Sequence, residues 1–389
     1  AAELEEEQRA LATICKGMCS WHWHEEGWDS WGVVYPEPFV IPVDTHAELA
    51  RLGDVLLRVL QRVGEAYVDD ARLQREVPVP TRIMALFERH QRTPYHVGAV
   101  RPDFLFDAGR GNRPLICEVN ARFGSLNGYL HSYVCNEALA RRAFDHAGDC
   151  LARRRRVVPL GSVQSLAAGL RDRFGATRVH VLRGREPAHD AGMIGDVVGV
   201  EVVPVRPECV RARGGRLFRT TADAAGEEEP ITSVIMELHQ DEILSLSDEV
   251  LDALMVLAGE QRCLNDLRTV FVAHDKRLLS VLSDATARLP DLCSGVEPAD
   301  LAFLAARVVP TAPLAAPLPT DASQRGAAAD AVRAVLPRGP LLLKPAGRGK
   351  GEGFHLESRP GDPAAWARAA EEAGAYVAQP FVEQPRFLL

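Results

Sequence analysis

Apolar residues recur near the helical period over residues 46–69, at Leu49, Leu52, Val55, Leu56, Val59, Leu60 and Val63, and predict an amphipathic helix. The segments 98–107 (GAVRPDFLFD) and 113–121 (RPLICEVNA) read as strands joined by the turn DAGRGN, which predicts a hairpin. A helix is expected around 136–149. Four arginines, 153–156, read as a solvated helix end and linker. The pattern then becomes βαβ-like. RVHVLRG (178–184) and VEVVPVR (200–206) look like buried strands, and the AHDAGMIGDVV between them is too short and glycine-broken to predict a helix. SVIMEL (233–238) predicts a strand, DEVLDALMVLAGE a helix, and 268–284 a strand, a turn and a helix. A Pro- and Ala-rich stretch, 308–330, follows as boundary or loop. The remainder reads as helix, strand ending at Lys344, glycine loop, strand, helix over 362–373, and the strand AYVAQPFV.

This order implies mixed α/β architecture in three parts: 1–152, 153–267 and 268–389. The length, 389 residues, exceeds one typical core. The net charge of −8 argues against nucleic-acid binding through a general basic field. No segment reaches the apolar length of a membrane span, and the eight cysteines are mostly scattered through apolar stretches, as buried, reduced thiols of a cytoplasmic protein would be.

Three constellations could carry chemistry. KPAGRGKGEG (344–353) places Gly347, Gly349, Gly351 and Gly353 at alternate positions, with Arg348 and Lys350 between them. Such a loop can close its backbone N–H groups around phosphates. A Gly-rich surface hairpin is the bland alternative, but a lysine ending a buried strand calls for an anionic partner. In ICEVNARFG, Glu118 and Asn120 stand two apart on a strand and so share a face, and their oxygens suit Mg²⁺. Arg101 and Asp103 have the same spacing on the partner strand. Third, His274, Asp275 and Lys276 sit where a predicted strand hands over to a helix, with a solvated first turn as the alternative.

In this order along the chain, RPD (101–103), EVN (118–120), HDK (274–276), KPAGRGKGEG (344–353) and AQPFVEQP (378–385) resemble the ATP-grasp ligases of the circularly permuted glutathione synthetase type. The segment 35–49 is similar to that family's early Pro-rich stretch. The resemblance implies a permuted ATP-grasp fold with a βαβ-type substrate lobe. It implies an ATP-dependent carboxylate–amine ligase working through an acyl phosphate, on amino-acid-like or peptide substrates. Lys276 and Lys344 would neutralise ATP phosphates, Glu118 and Asn120 would hold Mg²⁺, and Arg101 would hold the acyl phosphate. Gly349, Gly351 and Gly353 would cover the phosphates. Ala378, Gln379 and Phe381 would form the adenine hinge, with Gln379 meeting the polar edge of the base. Asp103, Arg122 and Glu237 are the remaining substrate-side candidates, and Glu237 stands where the family has an arginine. The implied partners are a small carboxylate and a small amine, with no nucleic acid and no membrane, and a second copy of the chain is a candidate.

The chain departs from the family in three places. Arg348 replaces an acidic metal ligand of the loop, with Glu352 the nearest substitute. Only Ala121 and Arg122 separate E-x-N from Phe-Gly, where the family has a serine-bearing segment. The chain stops at Leu389, so further strands are expected beyond it. The glycine loop, 346–354, is expected to be the most mobile part of the site without nucleotide. A phosphotransferase and a nucleotide-binding module without catalysis are the rival readings. A zinc site at Cys15, Cys19, His22 and His24 and a cleft role for His189 and Asp190 are weaker candidates.

Overall fold

The computed structural model describes residues 41–124, 133, 137, 163–175, 178–185, 189–220, 228–284, 286–314, 317–337, 339–348, 352–360, 362–372 and 374–385. The zinc candidates Cys15, Cys19, His22 and His24, nearly all of the helix expected over 136–149, the arginine run and loop residues Gly349, Lys350 and Gly351 lie outside them, as do the side chains of His189 and Asp190. The chain forms two compact units. Unit 1 is 1–46 with 123–265, and unit 2 is 47–122 with 266–389.

Helix α1 (Val43–Ala66) buries Leu52, Val55, Leu56, Val59, Leu60 and Val63, the stripe that its periodicity predicts. Gly64 lies on that stripe because Tyr95 packs there. A Cβ at Gly64 would fall 2.1 Å from the Tyr95 ring. Strands β1 (Arg101–Asp107) and β2 (Arg113–Asn120) pair antiparallel. Their turn is built by Asp107, whose carboxylate accepts from the Gly109 amide, and by Gly111 and Asn112 at φ 71° and 59°.

Unit 1 holds helix α2 (Val163–Phe174) and strands β3 (Arg178–Arg183), β4 (Glu201–Val205), β5 (Val210–Arg213), β6 (Arg216–Thr220), β7 (Glu228–Ile231), β8 (Val234–Glu237) and β9 (Cys263–Leu264). A parallel sheet runs β4-β3-β8-β9, and β5-β6-β7 form a separate antiparallel sheet. Helix α3 (Asp248–Gly259) begins at Ser247, whose hydroxyl accepts from the Val250 amide. One expectation fails here. The stretch between β3 and β4 is helical after all, as His189–Ile194 running into a π-helical turn at Gly195–Gly199. The buried Met193, Ile194 and Val198 outweigh the helix cost of its glycines.

The second part of unit 2 corrects another reading. The run TVFVA, taken for a strand, is the π-helical turn Thr269–Ala273, followed by a short helix, Leu278–Leu282. All five residues of the run are buried, so no polar face marks the helical period. Strands β10 (Ala312–Pro313), β11 (Leu341–Pro345), β12 (His355–Leu356) and β13 (Tyr376–Pro380) form an antiparallel sheet in the order β10-β13-β11-β12. Its core joins Leu341, Leu343, Tyr376 and Ala378 to helices α4 (Ala322–Val335) and α5 (Pro363–Glu371) through Val332, Ala365, Trp366 and Ala369. The buried carboxylate of Glu357 ties these layers together. It accepts from the Leu341 amide at 2.9 Å and the Trp366 indole at 2.8 Å, and it pairs with Arg333.

Candidate functional site: a lysine–carboxylate cluster

The β1–β2 register sets Asp103 opposite Glu118 and Arg101 opposite Asn120. Cross-strand partners share a face, so the four side chains form one polar patch at the end of the hairpin remote from its turn. Arg101 Nε donates to Asp103 Oδ1 at 2.9 Å, and Asn120 Nδ2 donates to Asp103 Oδ2 at 2.9 Å. The ladder slips by one residue between Asp103 and Phe104, which leaves Cys117 as the extra residue of a bulge. Burial pushes the Cys117 thiol up to about 11, so it is unreactive.

Two lysines meet this patch. Lys276 is fully buried as a side chain, and its Nζ lies 3.0 Å from Glu118 Oε1. Lys344, at the end of the buried β11, is 4% exposed. Desolvation pulls its pKa below the ordinary lysine value, against the attraction of Cys117 and Glu118. Lys276, Asp103, Glu118 and Lys344 are thus one coupled electrostatic cluster. The Lys344 ammonium also stands 5.3 Å from the centre of the Phe354 ring.

The glycine loop starts beside Lys276, and three successive carbonyls at its base are gripped. The Lys276 amide donates to Ala346 O at 3.0 Å, Arg122 Nη2 donates to Gly347 O at 2.8 Å, and Lys276 Nζ donates to Arg348 O. Arg122 Nη2 also lies 2.9 Å from His274 Nε2. Glu372, just past α5, then ties both arms of the loop. Arg348 Nη1 donates to Glu372 Oε2 at 3.0 Å, and His355 Nε2 lies 3.0 Å from Glu372 Oε1. Gly353 has φ 71°, and a Cβ there would fall 2.7 Å from Glu372 Oε2, so this place admits only glycine.

Not every expected residue meets the cluster. Gln379, expected to meet the polar edge of an adenine, directs Nε2 to Thr311 Oγ1 at 2.9 Å and Cys117 O at 3.3 Å. Ala378 pairs with Leu343 inside the sheet, and Phe381 is 52% exposed. Asp275 is buried and turns back on its own chain, accepting from the Arg277 amide at 2.8 Å and pairing with the Arg277 guanidinium. Glu352 is exposed. Glu237 ends β8 in unit 1, buried, with Arg183 as its cross-strand partner. Reading the sequence missed Glu372, His355 and Phe354, and no spacing signal marks them.

Among the described residues no group of three or more His, Cys, Asp and Glu could hold a metal ion by itself. Asp103, Glu118 and Asn120 nevertheless offer two carboxylates and an amide, all with hard oxygen atoms. That set fits a Mg²⁺ that takes its remaining ligands from phosphates and water, the usual way Mg²⁺ is held.

A solved structure with the same overall arrangement is a glutathione synthetase-like effector, GSS30, from Globodera pallida in apo form. It aligns with TM-score 0.60 at 10% identity, over 98% of this chain and 82% of that one. The chain therefore has a glutathione synthetase-like α/β fold. The family described as the AnkG N-terminal domain matches residues 52–272, more than half of the chain, and the chain belongs to that family. No curated protein matches the sequence. Among the described residues no helix is long and apolar enough to cross a membrane.

Proposed function

We propose that the chain is an ATP-dependent carboxylate–amine ligase of the ATP-grasp type, with its nucleotide site at the lysine–carboxylate cluster of unit 2. The observation that carries this reading is a pair of buried lysines, Lys276 and Lys344, facing the carboxylates of a hairpin and the base of a glycine loop. Burying cations opposes folding unless an anion joins them, and two lysines beside the single carboxylate of Glu118 leave positive charge that a polyphosphate would balance. Mg·ATP supplies the phosphoryl group that activates a substrate carboxylate. Asp103, Glu118 and Asn120 would hold the metal. Lys276 and Lys344 would draw charge from the phosphates, and Arg101 would steady the activated carboxyl group. The loop would exclude water until an amine attacks.

A second reading, nucleotide binding without ligation, is favoured by Arg348, which stands in the loop where the resembled family has an acidic metal ligand. Arg348 is committed to Glu372 and adds a cation to the site. A phosphotransferase that stops at the phosphorylated product would use the same residues. The test is an ADP-release screen over amino acids, dipeptides and polyamines, with mass detection of the amide. An amide product supports the ligase. ADP with a phosphorylated product alone supports the phosphotransferase, and nucleotide binding with no turnover supports the module.

A further inference from the structure

Among the described loop residues, Arg348 is bound at both ends, by Lys276 Nζ at its carbonyl and by Glu372 at its guanidinium. We propose that Arg348 is a phosphate-binding residue of the glycine loop, kept on Glu372 until a polyphosphate displaces that carboxylate. The inference rests on the nucleotide reading above.

Geometry supplies the reach. Any anion bound at Lys276 Nζ lies next to the Arg348 backbone, within one arginine side chain's length. Relative strength supplies the direction of exchange. The Arg348–Glu372 pair is open to water, with the two side chains 51% and 30% exposed, and such pairs contribute little. A di- or triphosphate carries more charge than one carboxylate, and guanidinium binds it bidentately. Glu372 is not stranded by the exchange. It keeps His355 Nε2 at 3.0 Å, and the Tyr376 hydroxyl is the largest of the influences that hold its carboxyl below the usual range. Both arms of the loop base therefore stay anchored, and only the Arg348 guanidinium changes partner. A fixed guanidinium in the loop would then supply positive charge at the phosphates where a metal ligand would otherwise sit.

The rival explanation is that the Arg348–Glu372 pair merely pins the loop. The two ideas differ in sign. If Glu372 competes with phosphate for Arg348, removing its charge tightens nucleotide binding. If Glu372 pins a loop that must be in place, removing its charge weakens binding. Calorimetric titration of the full chain with Mg·ATP and with AMP distinguishes them, using wild type, Arg348→Gln, Arg348→Lys and Glu372→Gln. Arg348→Gln should weaken Mg·ATP roughly tenfold or more, the scale of a lost charged hydrogen bond, and leave AMP unchanged. Arg348→Lys should recover part of the loss. Glu372→Gln should tighten Mg·ATP severalfold. Unchanged affinity in Arg348→Gln, or weakening in Glu372→Gln, overturns the proposal while leaving the nucleotide site intact. Wild type that binds neither nucleotide overturns both.

Discussion

Each unit carries a charge cluster, and the two differ in what surrounds them. In unit 1, Arg178 reaches Glu201 at 2.7 Å and also Glu229, which takes Arg219 at 2.9 Å. Arg178 and Glu201 are about half in water, and Arg219 and Glu229 are more covered but still reach it. In unit 2, Lys276 and Lys344 are buried and share Glu118. An exposed network serves solubility and adds little stability. A buried pair of like cations opposes folding and persists only where something else requires it. The contrast separates charge that solvent supports from charge that the fold buries, and the function proposed above gives the buried charge a ligand.

The strongest way to break the contrast is to remove the shared carboxylate. Glu118→Gln should lower turnover on the order of a thousandfold, the loss expected for a metal ligand. Glu229→Gln in unit 1 should leave turnover within about twofold. Steady-state ADP release measures both, and equal losses would erase the distinction. Next, Lys344→Met should leave the nucleotide-free protein at least as stable in urea titrations, because desolvation is the largest influence on Lys344 and Lys276 still pairs with Glu118. Nucleotide affinity should fall in the same variant. The sign with pH follows from the lowered pKa of Lys344. The unfolded chain holds that proton more tightly, so wild-type stability rises as pH climbs toward 10.5, and Lys344→Met flattens that rise. A smaller effect sharpens the comparison inside unit 2. Glu357→Gln should cost about 1–3 kcal/mol by disturbing the bonds to Leu341, Trp366 and Arg333, with nucleotide affinity unchanged.

The smallest effect belongs to unit 1. His180 is buried beside Glu229, at 3.5 Å, with Arg178 and Arg219 near, and both ring nitrogens lack hydrogen-bond partners. Burial depresses its pKa below 6.5. The unfolded chain therefore takes up the proton first, and stability falls as pH drops below 6.5 toward the folded value. His180→Phe should make the melting temperature less dependent on pH between about 6.5 and 5. An unchanged slope would assign that dependence to other groups.

Much of this was legible in the sequence, and the reasons for the gaps are physical. The hairpin could be read because two short apolar-rich runs flank a turn that carries Asp and Gly at defined places. Glu118 and Asn120 could be paired with Arg101 and Asp103 from spacing alone. Residues 269–273 misled because a segment buried all round shows no period, and β-branched residues then favour a strand reading. The bonds of Gln379 to Thr311 and Cys117 were not legible, because their partners lie 68 and 262 residues away in the chain. Glu372 was invisible because its partners, Arg348 and His355, reach it only through the folding of the loop.

The bulge at Cys117 has a bearing on how the chain tolerates insertions and deletions. Glu118 and Asn120 lie on one side of it and the hairpin turn on the other, with the ladder one residue out of step between them. Residues added at 109–111 would lengthen the turn and leave the paired polar ends where they are. Loss of the single residue at 117 would remove the bulge and even out the ladder, leaving Asp103 opposite Glu118 and Arg101 opposite Asn120. Loss of Val119, inside the even part of the ladder, would instead turn Asn120 to the face opposite Glu118, so a one-residue gap there keeps the hairpin and breaks the cluster.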